Sequence, residues 1–271
     1  MLGNTHCLKL PLLVRSGLMS NQVVSQSPLA NPAVLPLHAA TTVRAFGSTV
    51  VVAPHPDDES LGCGGAIAHL RAQDYPVRVL VISDGTLSHP HSRRYPAPAL
   101  RALREAETLS ALASLGVEAA QVTFLRLQDG SVPMPGAIGF DRAVSQCCDY
   151  LTTLAPRTIF LPCRYDPHPD HRATWQLIHT SVANKHPLPR FIEYPIWDWD
   201  PQQQSNLPTP DRLRAWRLDI SAVLALKLKA ISAYRSQTTN LIDDDPEGFR
   251  LTPEMLANFA YPWEVYFEET L

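Results

Sequence analysis

The sequence predicts an α/β fold, in which one mostly parallel sheet carries helices on both of its faces. From residue 47 onward, short apolar runs alternate with segments whose apolar residues recur at helical spacing. The apolar runs are continuous, as in strands that are buried on both faces of a sheet. The chain has 271 residues, of which 45% are apolar and 18% charged, so it is long enough to bury one full core.

Strands and helices follow one another in the order expected of a single Rossmann-like domain. We predict strands at residues 49–53, 77–82, 122–125, 158–161 and 190–194. We predict helices at residues 64–73, 98–115, 140–154 and 170–184, and Gly116 ends the leucine-rich second helix. A last long helix is expected within residues 212–235, ahead of an aromatic C-terminal segment.

The N-terminal region differs in composition from the rest of the chain. Residues 1–44 are rich in Ser, Asn and Pro and show no periodic pattern, so we interpret them as an irregular arm without chemistry. The first 17 residues are too short and too poorly organised for a signal peptide, and Met19 is an alternative start. Residues 45–271 are expected to form the one functional domain.

Composition argues against several classes of function. A net charge of −3 disfavours nucleic acid as a partner, because a basic surface is what binds phosphate backbones. No run of about 18 apolar residues is present, so we expect no integral membrane segment. The five cysteines are odd in number and include no C-x-x-C pair, which favours a reducing, cytoplasmic compartment. Homo-oligomerisation stays open.

Two short segments carry most of the chemistry. The first motif, residues 53–59, follows the first predicted strand and contains His55, Asp57 and Asp58. The second motif, residues 166–171, follows a later strand and contains two histidines three residues apart. Sites in α/β sheets lie at the carboxyl ends of strands, where both motifs fall. One imidazole and one carboxylate from the first motif, with one imidazole from the second, would form an open three-ligand zinc site that also suits iron(II).

The residues left over suit proton transfer. Neighbouring carboxylates in an extended loop point in different directions, so one aspartate of the first motif can bind the metal while the other takes a proton from water. In the second motif, one ring can reach the metal and the other the substrate oxygen or the leaving group. Asp170 or Asp166 could hold that second ring in place. Without the second motif, the first would equally suit a turn with a helix cap.

On these residues the chain resembles the zinc-dependent N-deacetylases of the LmbE-like, or PIG-L, family. The family's first motif reads here Pro-His-Pro-Asp-Asp-Glu at 54–59, followed by a glycine-rich turn at 61–65, and its second reads His-Pro-Asp-His at 168–171. The resemblance implies that the metal ligands are His55, Asp58 and His171. It also implies that Asp57 is the general base and His168 the general acid or electrophile.

Two further segments are similar to the family and extend the resemblance over residues 48–240. Arg104 and Glu107 fit an R-x-x-E pattern, and the resemblance implies that the arginine contacts the sugar or its phosphate-like substituent; an exposed helix-face arginine is the alternative. Residues 227–237 fit a late lysine–tyrosine–serine–glutamine pattern. One departure is Asp166, because mycothiol-pathway members carry a tyrosine there, which puts that substrate in doubt.

The function that the resemblance implies is zinc-dependent removal of an N-acetyl group from an N-acetylglucosamine-type sugar or glycoconjugate. The alternatives are an amidase on a non-sugar or thiol-conjugate amide, and a binding protein on a decayed scaffold. Loops at residues 86–98, 129–139 and 195–211 are expected to form the cleft and to decide the substrate. Trp197 and Trp199 would then face either a sugar or a hydrophobic edge, and His89 and His91 lie near the expected site.

Overall fold

The structure, a computed structural model, describes residues 27–200 and 213–269. The predictions for residues 1–26, including Met19, and for residues 201–212 lie outside these ranges. The strands are β1 Leu37–His38, β2 Thr49–Ala53, β3 Val77–Ser83, β4 Val122–Leu127, β5 Thr158–Pro162, β6 Arg190–Tyr194, β7 Leu213–Asp219 and β8 Trp263–Glu269. They form one sheet in the order β1-β7-β8-β6-β5-β2-β3-β4. Only β8 runs antiparallel to its neighbours among these strands, so the predicted mostly parallel sheet is confirmed.

Helices cover both faces of the sheet, as predicted. They are α1 Asp58–Arg71, α2 Ala97–Ser114, α3 Phe140–Leu154, α4 Pro169–Val182, α5 Leu224–Ala233, α6 Arg235–Thr238 and α7 Pro253–Ala257. Alternate residues of one strand serve the two faces, because side chains in a strand point to opposite sides. In β2, Val51 packs into the core under α1, α2 and α5, whereas Val50 and Val52 pack into the core under α3 and α4. No helix in the described ranges has the length and apolar character of a bilayer-spanning segment.

Part of the segment predicted as an irregular arm joins the sheet. Short 3-10 helices occupy Pro28–Ala30, Pro32–Val34 and Ala40–Ala45, and β1 lies between the last two. β1 pairs in parallel with β7, and Val43 is fully buried in the core. A two-residue strand is too short to produce a periodic sequence pattern, which is why composition alone indicated an arm.

The predicted long helix within residues 212–235 is wrong. Residues 213–219 form β7, and only Leu224–Ala233 forms a helix, α5. From Trp216 onward β7 alternates buried and partly exposed residues, which is the two-residue period of a strand. β7 pairs along its whole length with β8, which lies far along the chain, so its strand character depends on a long-range partner.

The glycine-rich segment of the first motif is helical and does not form the predicted turn. Helix α1 begins at Asp58, not at Gly64, and includes these glycines. A Cβ atom on Gly62 would lie 2.3 Å from Cδ2 of Tyr194, and one on Gly65 would lie 2.4 Å from Cγ2 of Ile220. The glycines therefore allow α1 to pack closely against the neighbouring elements, which holds the first turn of α1 at the edge of the sheet.

We expect Gly65→Ala to destabilise the protein, although alanine is the better helix former by about 1 kcal/mol. The new methyl group would collide with Ile220, and overpacking of this kind costs about 1–3 kcal/mol in free energy of unfolding. Urea unfolding measures the change. Gly64→Ala is the matched control, because its Cβ would lie 3.0 Å from Cγ of Lys227, a looser contact than the 2.4 Å at Gly65, and should cost less. An unchanged or higher stability of Gly65→Ala would contradict this packing.

Candidate active site

The first motif forms a tight turn between β2 and α1. Asp57 has a φ of 127°, a backbone conformation that residues with side chains rarely adopt. The turn is held by hydrogen bonds, because the N–H groups of Ser60 and Leu61 donate to the Asp57 carbonyl at 3.0 and 2.9 Å. The Asp57 N–H in turn donates to Oε2 of Glu59 at 3.2 Å. Strained backbone of this sort costs roughly 1–3 kcal/mol and persists where its surroundings impose it, often at functional sites.

Three side-chain atoms from the two motifs form an equilateral triangle. His55 Nδ1, Asp58 Oδ2 and His171 Nε2 lie 3.3 Å from one another in each of the three pairs. Ligands about 2.0–2.2 Å from a tetrahedral zinc ion lie about 3.3–3.6 Å apart, so the triangle matches one face of such a site. All three side chains are buried, and His171 is fully buried. The residues that the resemblance implied as metal ligands are therefore brought together with a fitting geometry.

In each imidazole of the triangle, the ring nitrogen that is not part of the triangle lies close to a carboxylate. Nε2 of His55 lies 3.2 Å from Asp129 Oδ1 and 3.3 Å from Asp170 Oδ2. Nδ1 of His171 lies 3.1 Å from Asp166 Oδ2. A carboxylate on the far nitrogen fixes the orientation and tautomer of a ligating imidazole and raises its basicity. Asp170 thus lies behind His55, whereas the sequence suggested that it would hold the second, non-ligating ring.

Asp129 is a site residue that sequence reasoning missed. It follows the end of β4, and its Oδ2 accepts a hydrogen bond from the Leu87 N–H at 2.8 Å. The parallel sheet brings the ends of β2, β3, β4 and β5 to one edge, so an acidic residue directly after β4 lies near the first motif. Its position after a predicted strand could have identified Asp129 as a site residue. However, a single aspartate beside a glycine is equally typical of an ordinary turn.

The carboxylates make the centre of this cluster favourable for a positive charge. Burial would lower the pKa of His171, but Asp166 and Asp58 outweigh it and raise the pKa to about 9. Burial would raise the pKa of Asp129, but His55 outweighs it and lowers the pKa to about 2. A metal ion must displace protons from such imidazoles, so metal binding should weaken as the pH falls.

The Asp57 carboxylate is not part of the triangle and contacts Arg104. The Arg104 guanidinium donates from Nη2 to Asp57 Oδ2 at 3.2 Å and to the Pro56 carbonyl at 2.6 Å, and from Nη1 to the Gly85 carbonyl at 2.9 Å. Arg104 is 3% exposed, so the exposed helix-face alternative is wrong. Its guanidinium contacts the first motif, and Arg104 also lines the pocket, so the substrate contact that the resemblance implied stays a prediction. Burial raises the pKa of Asp57 to about 8, and Arg104 opposes this rise.

We expect Arg104→Gln to move the acid limb of the pH–activity profile to higher pH. The positive charge of Arg104 favours the ionised form of Asp57, so without it the carboxyl group keeps its proton to higher pH. A neighbouring arginine lowers the pKa of an aspartate by about 1–3 units, and the limb should shift by a similar amount. The profile of kcat/KM measures this shift, with Arg101→Gln on the same helix as control. An unmoved limb would show that Arg104 does not set the protonation of Asp57.

The late segment of the resemblance packs beneath the first motif. The Tyr234 hydroxyl donates to Oε1 of Glu59, the residue that receives the Asp57 N–H. Ser236 donates from its hydroxyl and its N–H to the two carboxylate oxygens of Glu107, at 2.6 and 2.8 Å. Residues 227–237 therefore link α2, which contains the R-x-x-E pattern, to the turn that contains Asp57. This contact explains why the chain has both the late segment and the R-x-x-E pattern.

His168 lies at the start of α4, beside the triangle. Nitrogen atoms of His55, His168 and His171 lie within 4.8 Å of one another, so this group also fits a metal site. The Asp170 N–H donates to Nδ1 of His168 at 3.2 Å, which assigns the ring proton of neutral His168 to Nε2. Burial, with the charges of His171 and His55, lowers the pKa of His168 to about 4. A neutral ring that donates from Nε2 suits the role of electrophile.

A pocket of about 580 Å³ opens over these groups, within the range of small-molecule sites. Its lining includes His55, Asp57, Asp58, Asp129 and His168. Candidate metal ligands and the candidate proton-transfer residues Asp57 and His168 therefore share one cavity.

The wall of the pocket comes partly from the loops that the sequence assigned to the cleft. Trp197 and Trp199 line the pocket, as the cleft interpretation expected. His89 does not face it as a substrate group would, because its ring is 1% exposed and packs against Gly248.

The chain is similar to known deacetylases. Residues 50–182 match the family model described as PIG-L: GlcNAc-PI de-N-acetylase. A probable N-acetyl-alpha-D-glucosaminyl L-malate deacetylase 2 from Bacillus subtilis (strain 168) is 25% identical over 224 residues, which are 80% of this chain and 95% of the relative.

Solved structures share the fold. The N,N'-diacetylchitobiose deacetylase from Pyrococcus horikoshii superposes with a TM-score of 0.63 at 24% identity, over 85% of this chain and 86% of that one. A zinc-inhibited form of teicoplanin deacetylase Orf2 superposes with a TM-score of 0.59 at 18% identity, over 83% and 98%. A mostly parallel sheet with a His/Asp cluster that fits a metal ion at its carboxyl edge is the arrangement of a candidate metallohydrolase. The match over residues 50–182, together with the similarity to the Bacillus subtilis deacetylase, places the chain in the PIG-L/LmbE-like family of deacetylases, which are hydrolases.

Proposed function

We propose that this chain is a metal-dependent N-deacetylase that acts on an N-acetylglucosamine-type sugar or glycoconjugate. The observation that supports it most is the 3.3 Å triangle of His55, Asp58 and His171, with Asp57 and His168 in the same pocket. The names of the relatives, which refer to N-acetylglucosaminyl malate and to diacetylchitobiose, support this type of substrate.

The three residues of the triangle would hold zinc or iron(II). When bound, the metal would lower the pKa of water to about 7 and polarise the amide carbonyl. Asp57, whose ionised form is favoured by Arg104, would accept the proton of the attacking water, because its carboxylate is not part of the triangle. His168 would donate from Nε2 to the amide oxygen as negative charge develops there. Asp57 would then return its proton to the departing amine, which gives acetate and a free amino sugar.

An amidase that acts on a non-sugar or thiol-conjugate amide would use the same residues. The observation that favours this second candidate is the apolar part of the pocket lining, which includes Trp197 and Phe249. A panel that contains both sugar and non-sugar amides separates the two candidates.

The test of the proposal is acetate release by metal-stripped protein that is reconstituted with zinc or iron(II). We expect no turnover without metal and recovery near one metal ion per chain. Zinc should be added from substoichiometric amounts upward, because a structural relative has a zinc-inhibited form. Full turnover by the metal-free protein would contradict the proposal, and turnover of non-sugar amides alone would favour the amidase.

A further inference from the structure

The outer wall of the pocket is formed by apolar side chains. It comprises Trp197, Trp199, Phe249, Leu251, Met255 and Phe259, and we call this set the apolar wall. The wall begins next to the reacting groups, because the Trp197 ring stacks 6.1 Å from the His168 ring at an interplanar angle of 25°. Phe249 follows, with its ring 5.5 Å from that of Trp197. An apolar surface thus runs outward from His168.

Hydrogen bonds hold the apolar wall in place. The Phe249 N–H donates to the Ser88 carbonyl at 2.6 Å, and the Leu251 N–H donates to the Gln237 carbonyl at 2.8 Å. Gly248 lies against His89 so closely that a Cβ atom would be 2.2 Å from the imidazole Cδ2. The wall is therefore preorganised, and a ligand that packs against it would lose little affinity in ordering it.

The charges of the pocket disfavour an anionic substituent. Among the described residues that line it, Arg104 is the one lysine or arginine, and its guanidinium is engaged by Asp57, Pro56 and Gly85. The same lining carries the carboxylates of Asp57, Asp58, Asp129, Asp200 and Glu254. Among the described lining residues, a phosphate or dicarboxylate on the substrate would find no free lysine or arginine, so a malyl group such as that in the name of the Bacillus subtilis relative would lack a cationic partner.

We propose that the substrate carries a neutral apolar group, aromatic or alkyl, that packs against the apolar wall while the amide reaches the metal-binding triangle. The proposal rests on the proposed deacetylase function and deepens it. The apolar group can belong to the aglycone of the sugar or to the acyl chain of the amide, since both are attached within reach of the scissile bond. The two sources share the same recognition chemistry, and the substrates below distinguish them.

The test compares methyl, phenyl and L-malyl 2-acetamido-2-deoxy-D-glucopyranosides with the N-hexanoyl analogue of the methyl glycoside. Burial of one apolar group of this size is expected to raise kcat/KM about ten- to a hundred-fold over the methyl N-acetyl compound. A preference for the phenyl glycoside identifies the aglycone, and a preference for the N-hexanoyl compound identifies the acyl chain. Equal values for all neutral substrates, or a preference for the malyl glycoside, would overturn the proposal.

Substitution of the wall tests the same inference independently. In Phe249→Ala the preference for the apolar substrate over the methyl compound should fall towards one. Phe249→Leu keeps an apolar side chain and should keep part of the preference, which covers the case in which the alanine variant fails to fold. Met134→Ala is the matched control, because Met134 is 42% exposed and outside the pocket lining. An unchanged preference in a folded Phe249→Ala protein would contradict the role of the wall.

A binding measurement separates failure of this inference from failure of the proposed function. Quenching of tryptophan fluorescence in the Asp57→Asn variant reports binding of the same compounds without turnover, since Trp197 lines the pocket. Suppose that the Asp57→Asn variant binds the apolar compound more tightly, but that the unsubstituted protein hydrolyses none of the panel. This result would support the role of the apolar wall and contradict deacetylation. Turnover of the whole panel without any difference in binding would support deacetylation and contradict the proposed role of the apolar wall.

Discussion

Asp57→Asn is expected to lower kcat by about 10²–10⁴-fold, the usual contribution of a general base, and to leave the metal content unchanged. Asparagine keeps the shape of the side chain and can accept the hydrogen bond from Arg104, but it cannot take a proton from water. The metal should stay bound because the triangle uses Asp58, whose Oδ2 lies 3.3 Å from a nitrogen of each ligating histidine. Asparagine is also among the residues that tolerate a positive φ, so the strained turn should persist.

The measurement is acetate release under saturating substrate, with metal content determined on the same sample. Asp149→Asn, an exposed aspartate on α3, is the control and should be fully active. If Asp57→Asn binds its metal and turns over substrate at the wild-type rate, Asp57 is not the residue that transfers the proton. Loss of metal in that variant would instead place Asp57 among the ligands.

Lys227→Met is expected to destabilise the fold by about 3–5 kcal/mol, because it leaves a buried carboxylate without its cation. Lys227 Nζ lies 2.8 Å from Glu264 Oε1, and the two side chains are 2% and 1% exposed. Glu264 also accepts from the N–H groups of Gly65 and Ala66 in α1, at 2.7 and 2.9 Å, and from the Tyr266 hydroxyl at 2.7 Å. The ion pair therefore joins α5, β8 and the helix that carries Asp58.

Urea unfolding measures this loss as a shift of the midpoint. Lys229→Met on the exposed side of the same helix is the control, and its stability should stay within about 0.5 kcal/mol. The double variant Lys227→Met, Glu264→Gln should recover part of the loss, because it removes the unpaired charge and keeps a hydrogen-bond acceptor. Equal stability of Lys227→Met and the parent would show that Glu264 is accommodated without its lysine.

The family, the sheet and the candidate metal ligands could be predicted from short stretches of sequence. The buried strands are continuous apolar runs, and the two motifs place their donors within a few residues of each other. His55 and Asp58 are three residues apart at a helix start, and their Nδ1 and Oδ2 atoms lie 3.3 Å apart. Local patterns of this kind depend on side-chain direction along one strand or one helical turn, so they can be recognised without knowledge of the fold.

Other features needed the tertiary structure. Arg104 was expected at the substrate; it lines the pocket, and the packing of α2 also brings its guanidinium to the turn of the first motif. The residues predicted as one long helix became β7 because β8 pairs with them. The sequence predicts a turn at the glycines after Asp58, whereas the positions of Tyr194 and Ile220 show that these glycines permit close packing of α1.

The sequence by itself determined which donors and acids the site contains, because they lie in two contiguous motifs whose residue types suit a metal and proton transfer. Tertiary structure decided what surrounds them. Asp129 reaches His55 only through the register of parallel strands, and Phe249 reaches Trp197 only because a distant segment docks over the loop after β3. Contacts between residues far apart in the chain depend on strand order and helix packing, and no local period encodes them.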